Sequence, residues 1–102
     1  MVRTIVWTRL AEIAFKEILQ YFNNRNKSNY YSTKLSKAIK SELHLLPRHP
    51  NLGLSTSVHN VRYLISGNYK IFYEIKETQI VVLMVWDSRM NPSKINIEKW
   101  MR

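Results

Sequence analysis

The chain contains no cysteine, which removes a disulfide framework, a thiol nucleophile and a cysteine zinc site together. Glycine occurs twice and proline three times, too rarely for a collagenous or low-complexity chain. No apolar run approaches the roughly 18 residues that a membrane-crossing helix needs. The opening residues, MVRTIVWTRLAEIAF, are interrupted by Arg3, Arg9 and Glu12 and lack a small-residue cleavage site, so a signal peptide is not expected and the cytoplasm is the expected compartment. Acidic residues are scarce as well. Seven Asp and Glu stand against sixteen Lys and Arg, a net charge of +9 over 102 residues of which 45% are hydrophobic. That size and make-up fit one domain spanning residues 1–102.

Such an excess of positive charge repels itself in a compact fold, and its commonest use is attraction to a polyanion. It is unevenly spread. Between Arg25 and His49 lie Arg25, Lys27, Lys34, Lys37, Lys40 and Arg48 with Glu42 as the one carboxylate, a local charge of +5. A solvated helix face has the same look, so charge alone leaves both meanings open. A membrane surface is the weaker partner, because the basic segment has no opposite face rich in Trp or Phe.

Residues Arg3–Trp7 form a β-branched and aromatic run that reads as a strand, and Thr8 follows as a helix N-cap. Ala11, Ala14, Phe15, Ile18 and Phe22 then recur at helical spacing up to a polar loop, Asn23–Lys27. A second helix carries Tyr31, Leu35, Ala38, Ile39, Glu42, Leu43 and Leu46 on one stripe and stops at Pro47, with Lys34, Lys37 and Lys40 turned outward. The stretch Arg48–Ser57, with Pro50 and Gly53, reads as a loop. Val58–Ser66, Tyr69–Ile75 and Gln79–Trp86 read as a three-stranded meander, split by Gly67-Asn68 and Lys76-Glu77-Thr78. The last of these strands is apolar on both faces and belongs in the middle of a sheet. Asn91-Pro92 supplies a cap and an N1 proline for a short terminal helix near Trp100. The expected fold is α+β: an N-terminal strand, a two-helix hairpin packed on a mainly antiparallel sheet, the meander and a short terminal helix.

These residues resemble the RelE/ParE superfamily of small bacterial toxins over nearly the whole chain. Trp7-Thr8-x-x-Ala11-x-x-x-Phe15-x-x-Ile18-x-x-Tyr21 is similar to the family's opening W-S-x-x-A-x-x-D-L-x-x-I-x-x-Y, and Leu46-Pro47…Gly53 to its helix-to-sheet connection. Arg62-x-Leu64 and Tyr69-Lys70-Ile71-x-Tyr73 look like R-x-L…Y-R-x-x-Y. Trp86-Asp87-Ser88-Arg89 stands where the family often has H-G-A-R. The resemblance implies the toxin half of a type II toxin–antitoxin pair, with a cognate antitoxin as partner. It also implies one of two targets. RelE-like members enter the ribosome and cut messenger RNA without metal or cofactor, whereas ParE-like members poison DNA gyrase by binding.

Metal-independent RNA cleavage requires removal of the 2′-OH proton, stabilisation of the phosphorane and protonation of the leaving oxygen. Arginine suits the second task, since its planar fork bonds two phosphate oxygens. Arg62 and Arg89 are the candidates, expected at one edge of the sheet, and Arg89 has pairing with Asp87 as its structural alternative. Lys70 stands at the family's arginine position, where it brings charge without the bidentate fork. The histidine or tyrosine usual in active RNase members near the end of the last strand is absent, which leaves His59, at the start of the first meander strand, as the candidate titrating group. Lys34, Lys37, Lys40, Tyr69 and Lys94 are the candidate RNA-binding residues, although Tyr69 and Tyr73, at alternate positions with Ile71, also read as core. No metal site is expected from the ligand types present. The sequence therefore carries three functional readings: a ribosome-dependent mRNA endonuclease, which the charge favours; a gyrase poison as the alternative; and an inactive toxin or nonenzymatic nucleic-acid-binding module.

Overall fold

β-Branched residues and a tryptophan make Thr4–Trp7 the first strand, β1, and Thr8 caps the helix that follows by accepting the Ala11 amide at 3.0 Å. A cap of this kind contributes about 1 kcal/mol. The computed structural model describes residues 2–102. Helix α1 spans Arg9–Asn26, longer than the periodicity predicts, because Asn23–Asn26 continue the helix where a loop is expected. The helix ends only where Lys27 turns left-handed (φ 50°), and the Asn23 side chain is bonded to the Ser32 hydroxyl of the next helix. Helix α2 covers Tyr30–Leu43, and Leu45 and Leu46 then bond back three residues in tight turns before Pro47.

The loop expected at Arg48–Ser57 holds a 3-10 turn at Pro50–Leu52 and a two-residue strand, β2 (Leu54–Ser55). β3 (Val61–Ser66) begins three residues later than expected, because Val58–Asn60 form a turn and Asn60 is left-handed at φ 63°. β4 (Tyr69–Ile75) has the expected bounds, and β5 runs Gln79–Asp87. The terminal helix is in two pieces, a 3-10 turn at Pro92–Lys94 and α3 at Ile97–Trp100.

The sheet order is β1-β5-β4-β3-β2, antiparallel except for β1 alongside β5. β5 is therefore flanked on both sides, as its apolar composition requires. The two helices cover one sheet face, where Ala11, Phe15, Leu35, Ile39, Leu43 and Leu46 pack on Ile71, Tyr73, Ile80, Val82 and Val85. The opposite face carries a second cluster in which Trp100 of α3 sits on Phe72 and Trp86, ring centroids 5.1 and 5.7 Å away. A β-bulge at Leu83 serves both clusters. The register jumps from Tyr73↔Val82 to Phe72↔Met84, so Leu83 and Met84 both join the outer cluster while Val82 and Val85 stay on the helix side.

One polar knot fixes the short strand β2 to this frame. The fully buried Tyr73 accepts the Gly53 amide at 2.9 Å and donates to the Pro50 carbonyl at 2.7 Å. Arg62 donates to the Gly53 carbonyl at 2.7 Å. Burial raises the Tyr73 phenol above its ordinary pKa, against the lowering effect of the Gly53 amide and of Arg62, so the hydroxyl stays protonated and able to donate.

Candidate functional site

The strand register decides which candidate residues meet. Arg62 lies opposite Tyr73, near the end of β4, whereas Asp87 lies opposite Tyr69 at its start. Four residues of β4 separate the two positions, about 13 Å along the strand, and two strand spacings add about 10 Å across the sheet. Arg62 and Arg89 thus sit at different ends of the sheet, not at one edge as expected. Nor is Arg62 a free cation, since its guanidinium holds the Gly53 and Asn51 carbonyls. Lys70 lies on the opposite face of the sheet from Arg62, paired with Ile65 and Trp86, with its ammonium 5.0 Å from the Tyr63 ring centroid. His59 is exposed in the turn before β3, not in a strand, and lines a small polar hollow with Arg62, Ser55 and Thr56.

Arg89 occupies a different setting. The β3–β4 turn is made by Gly67, left-handed at φ 59°, and the next residue, Asn68, accepts the Ser88 amide at 2.8 Å. That bond holds the end of β5 where Asp87 can face back across the turn. Its carboxylate accepts the Arg89 amide at 2.9 Å and both arms of the guanidinium, Nε at 3.0 Å and Nη2 at 2.9 Å. This Asp87–Arg89 contact is the one side-chain ion pair among the described residues. A bidentate fork sets the plane of the guanidinium as well as its place. The side chain nevertheless remains 57% exposed, so a face of the cation is left for a partner.

The pair stands in a cleft of about 470 Å³ between α1 and the end of β5, lined by Glu17, Ile18, Tyr21, Tyr69, Trp86 and Met90. Tyr69 forms its buried wall at 3% exposure, so it serves as cleft lining and core and does not present a ring for base stacking. Burial raises the Tyr69 phenol, the Asp87 charge adds to the rise and Arg89 opposes it. Asp87 is lowered, chiefly by the hydrogen bonds from the Arg89 side chain, against a smaller contrary effect of burial. Phenol and carboxylate are thus displaced in opposite directions, both away from neutrality.

The lowered carboxylate gives a pH signature. A depressed folded-state pKa contributes stability above the ordinary carboxylate range and loses it as pH falls through the folded value. Asp87→Asn is therefore expected to lower the melting temperature by a few degrees at pH 7, a modest effect because the pair is largely exposed. The gap to the parent protein should close by about pH 2, in scanning calorimetry across that range. A gap that persisted undiminished at low pH would show that the carboxylate charge has no part in it.

The remaining candidates are spread over the surface. Lys34 and Lys37 are exposed on α2, Lys40 borders the groove beside Trp7 and α1, and Lys94 is exposed at the end of the 3-10 turn. The residues that build the Arg89 cleft with it, Glu17, Tyr21 and Met90, escape selection from sequence. For Glu17 and Tyr21 the local signal is the helical spacing of Ala14, Glu17, Ile18 and Tyr21, which marks a shared stripe on α1 without saying what faces it; Met90 has none. Among the described residues no helix is long and apolar enough to cross a membrane, and no three His, Asp or Glu are grouped to hold a metal ion.

Residues 5–92 match the model of a family described as the ParE toxin of the type II toxin–antitoxin system, parDE. Among solved structures the chain is similar to one from a chromosomal ParDE toxin–antitoxin system of P. aeruginosa, at 19% identity and a TM-score of 0.71, over 84% of this chain and 96% of that one. It is also similar to the YoeB dimer of Staphylococcus aureus, at 17% identity and a TM-score of 0.57, over 83% of this chain and 95% of the other. No curated protein sequence matches it. At these identities the structural likenesses concern the fold.

Proposed function

The chain belongs to the ParE toxin family of type II toxin–antitoxin systems, and from that membership we propose that it arrests growth by binding DNA gyrase and is held inactive by a cognate antitoxin. The observation that carries this reading is the dispersal of the cations that RNA cleavage would need. Arg62 is engaged with backbone carbonyls, Lys70 lies on the other sheet face and His59 is at the far end of the sheet from Arg89. Around Arg89 itself the phenol of Tyr69 is raised and the carboxylate of Asp87 is lowered and bound to the arginine. General acid–base catalysis works best with a group that titrates near the working pH. A binding function has no such need: an oriented, exposed arginine beside an aromatic and apolar cleft is the kind of anchor that dominates protein interfaces.

A second reading, ribosome-dependent mRNA cleavage, draws on the hollow where His59 and Arg62 lie together with Ser55 and Thr56. The two readings separate in one paired assay. Purified protein is added to gyrase with relaxed plasmid, and in parallel to ribosomes with a messenger RNA mapped by primer extension. We expect loss of supercoiling and an intact message. Ribosome-dependent cuts with gyrase unaffected would overturn the gyrase reading in favour of the second.

A further inference from the structure

The basic segment is left unused by either reading of the target, and α2 presents it in an ordered way. Ser32, Leu35, Ile39 and Leu43 are the buried residues of this helix. At 100° per residue, Tyr30, Lys34, Lys37, Ser41 and His44 fall on the opposite side, and all five are exposed. No carboxylate interrupts that stripe. Glu42, the helix's one acidic residue, lies off it and is half-buried. Lys34 and Lys37 make no ion pair, nor do Arg25, Lys27 and Arg48 at the two ends of the helix, since the described residues hold only the Asp87–Arg89 pair.

We infer that the outer face of α2 is a binding surface for the phosphate backbone of duplex DNA, with Lys34 and Lys37 at its centre and Arg25, Lys27 and Arg48 at its ends. Three observations choose this occupant. The charge is of one sign and unneutralised, which matches a polyanion. The stripe carries one aromatic, Tyr30 at its start; Tyr31 is exposed too but lies to one side of the stripe, and from there to His44 only Lys, Ser, Thr and Ala are exposed. Readers of single strands interleave cations with stacking platforms, and protein interfaces need desolvated apolar anchors, neither of which this face provides along its length. The dimensions also agree. Lys34 to His44 is ten residues, about 15 Å of helix, comparable with the roughly 12 Å width of the major groove, so phosphates on both lips are within reach. The inference does not depend on the gyrase reading, since it concerns a separate surface and a ligand of its own.

The test is titration of a fluorescent 20-base-pair duplex with the full chain at several salt concentrations. Three to five phosphate contacts predict a plot of log K against log salt with a slope of about −3 to −4.5. Lys34→Gln with Lys37→Gln should flatten the slope by about 2 and weaken binding on the order of tenfold or more at 0.1 M salt. The exposed Lys76→Gln with Lys99→Gln, one in the β4–β5 turn and one on α3, should leave the slope unchanged, and unaltered melting curves check that both double variants are folded. Equal losses in the two double variants would reduce the effect to net charge and overturn the assignment to α2. A single-stranded RNA or poly-glutamate that competes as well as the unlabelled duplex would overturn the choice of DNA.

Discussion

Gly53→Ala is expected to destabilise the protein by about 2–4 kcal/mol, which for a domain of this size lowers the melting temperature by roughly 10–20 °C. The reason is space and not backbone freedom. Gly53 is extended (φ −76°, ψ 171°), a conformation open to any residue. A Cβ placed there would lie 2.7 Å from the Tyr73 hydroxyl and 2.8 Å from the Tyr63 carbonyl oxygen. The second contact is with backbone, so β2 would have to move away from β3. That movement would strain the Gly53–Tyr73 and Arg62–Gly53 bonds that hold the strand. Removing the hydroxyl as well, in Gly53→Ala with Tyr73→Phe, relieves one of three close contacts, since the ring carbon Cε1 stays 2.9 Å away, and leaves the Pro50 carbonyl without its donor. The double variant should therefore recover only part of the loss. Thermal unfolding followed by circular dichroism measures both. A single variant within about 1 kcal/mol of the parent would show that the loop yields easily and that the knot does not constrain it.

Gly67 makes a contrast that sequence reading does resolve. Its φ of 59° serves a tight hairpin turn and nothing lies within 4 Å of an added Cβ, so its role is conformational. A Gly-Asn pair between two β-branched runs announces that role in the sequence itself. Gly53 marks a loop in the sequence but does not announce its close packing, because its neighbours Tyr73 and Tyr63 are twenty and ten residues away. The same division runs through the fold. β4 and the centre of β5 are legible because their composition and flanking turns are local signals. The late start of β3 depends on Asn60 accepting a left-handed conformation, and β2 rests on pairing with β3 next to Gly53, which Tyr73 and Arg62 hold from a distance in sequence. The extension of α1 through Asn23 rests on Ser32 of the next helix, again a contact that periodicity does not contain.

The site divides similarly. Arg89 and its alternative partner Asp87 are two residues apart, and their pairing can be anticipated from the sequence. The separation of Arg62 from Arg89 is set by strand register, which residue types alone do not specify when both strands are apolar over most of their length. Lys70 and Tyr69 are neighbours in sequence yet occupy opposite faces of the sheet, the consequence of a period of two. Motif order thus identifies the family from positions such as Arg62, Lys70 and Arg89. Their mutual geometry is what weighs against their acting together on one phosphate.

On the gyrase proposal, Arg89→Ala should abolish growth arrest on expression and raise the concentration needed to inhibit supercoiling on the order of 30-fold or more, the loss typical of a central interface anchor. The fold should tolerate it. The guanidinium is 57% exposed and the Asp87 carboxylate, at 25% exposure, is open to hydration once its partner is gone, so the melting temperature should move by no more than a few degrees. Two further variants separate charge from orientation. Arg89→Lys keeps the cation and loses the planar fork, and should retain only part of the activity. Asp87→Asn keeps the whole guanidinium but weakens what orients it, so a positioning role for Asp87 predicts an intermediate loss of potency, larger than its small effect on stability accounts for. Half-inhibitory concentrations for the four proteins, set beside their melting temperatures, distinguish these roles. If Arg89→Ala arrested growth at the parent's dose, the cleft between α1 and β5 would not be the functional surface. The search would then move to the hollow around His59 and Arg62, where the fold sets a cation beside the polar side chains of Ser55 and Thr56.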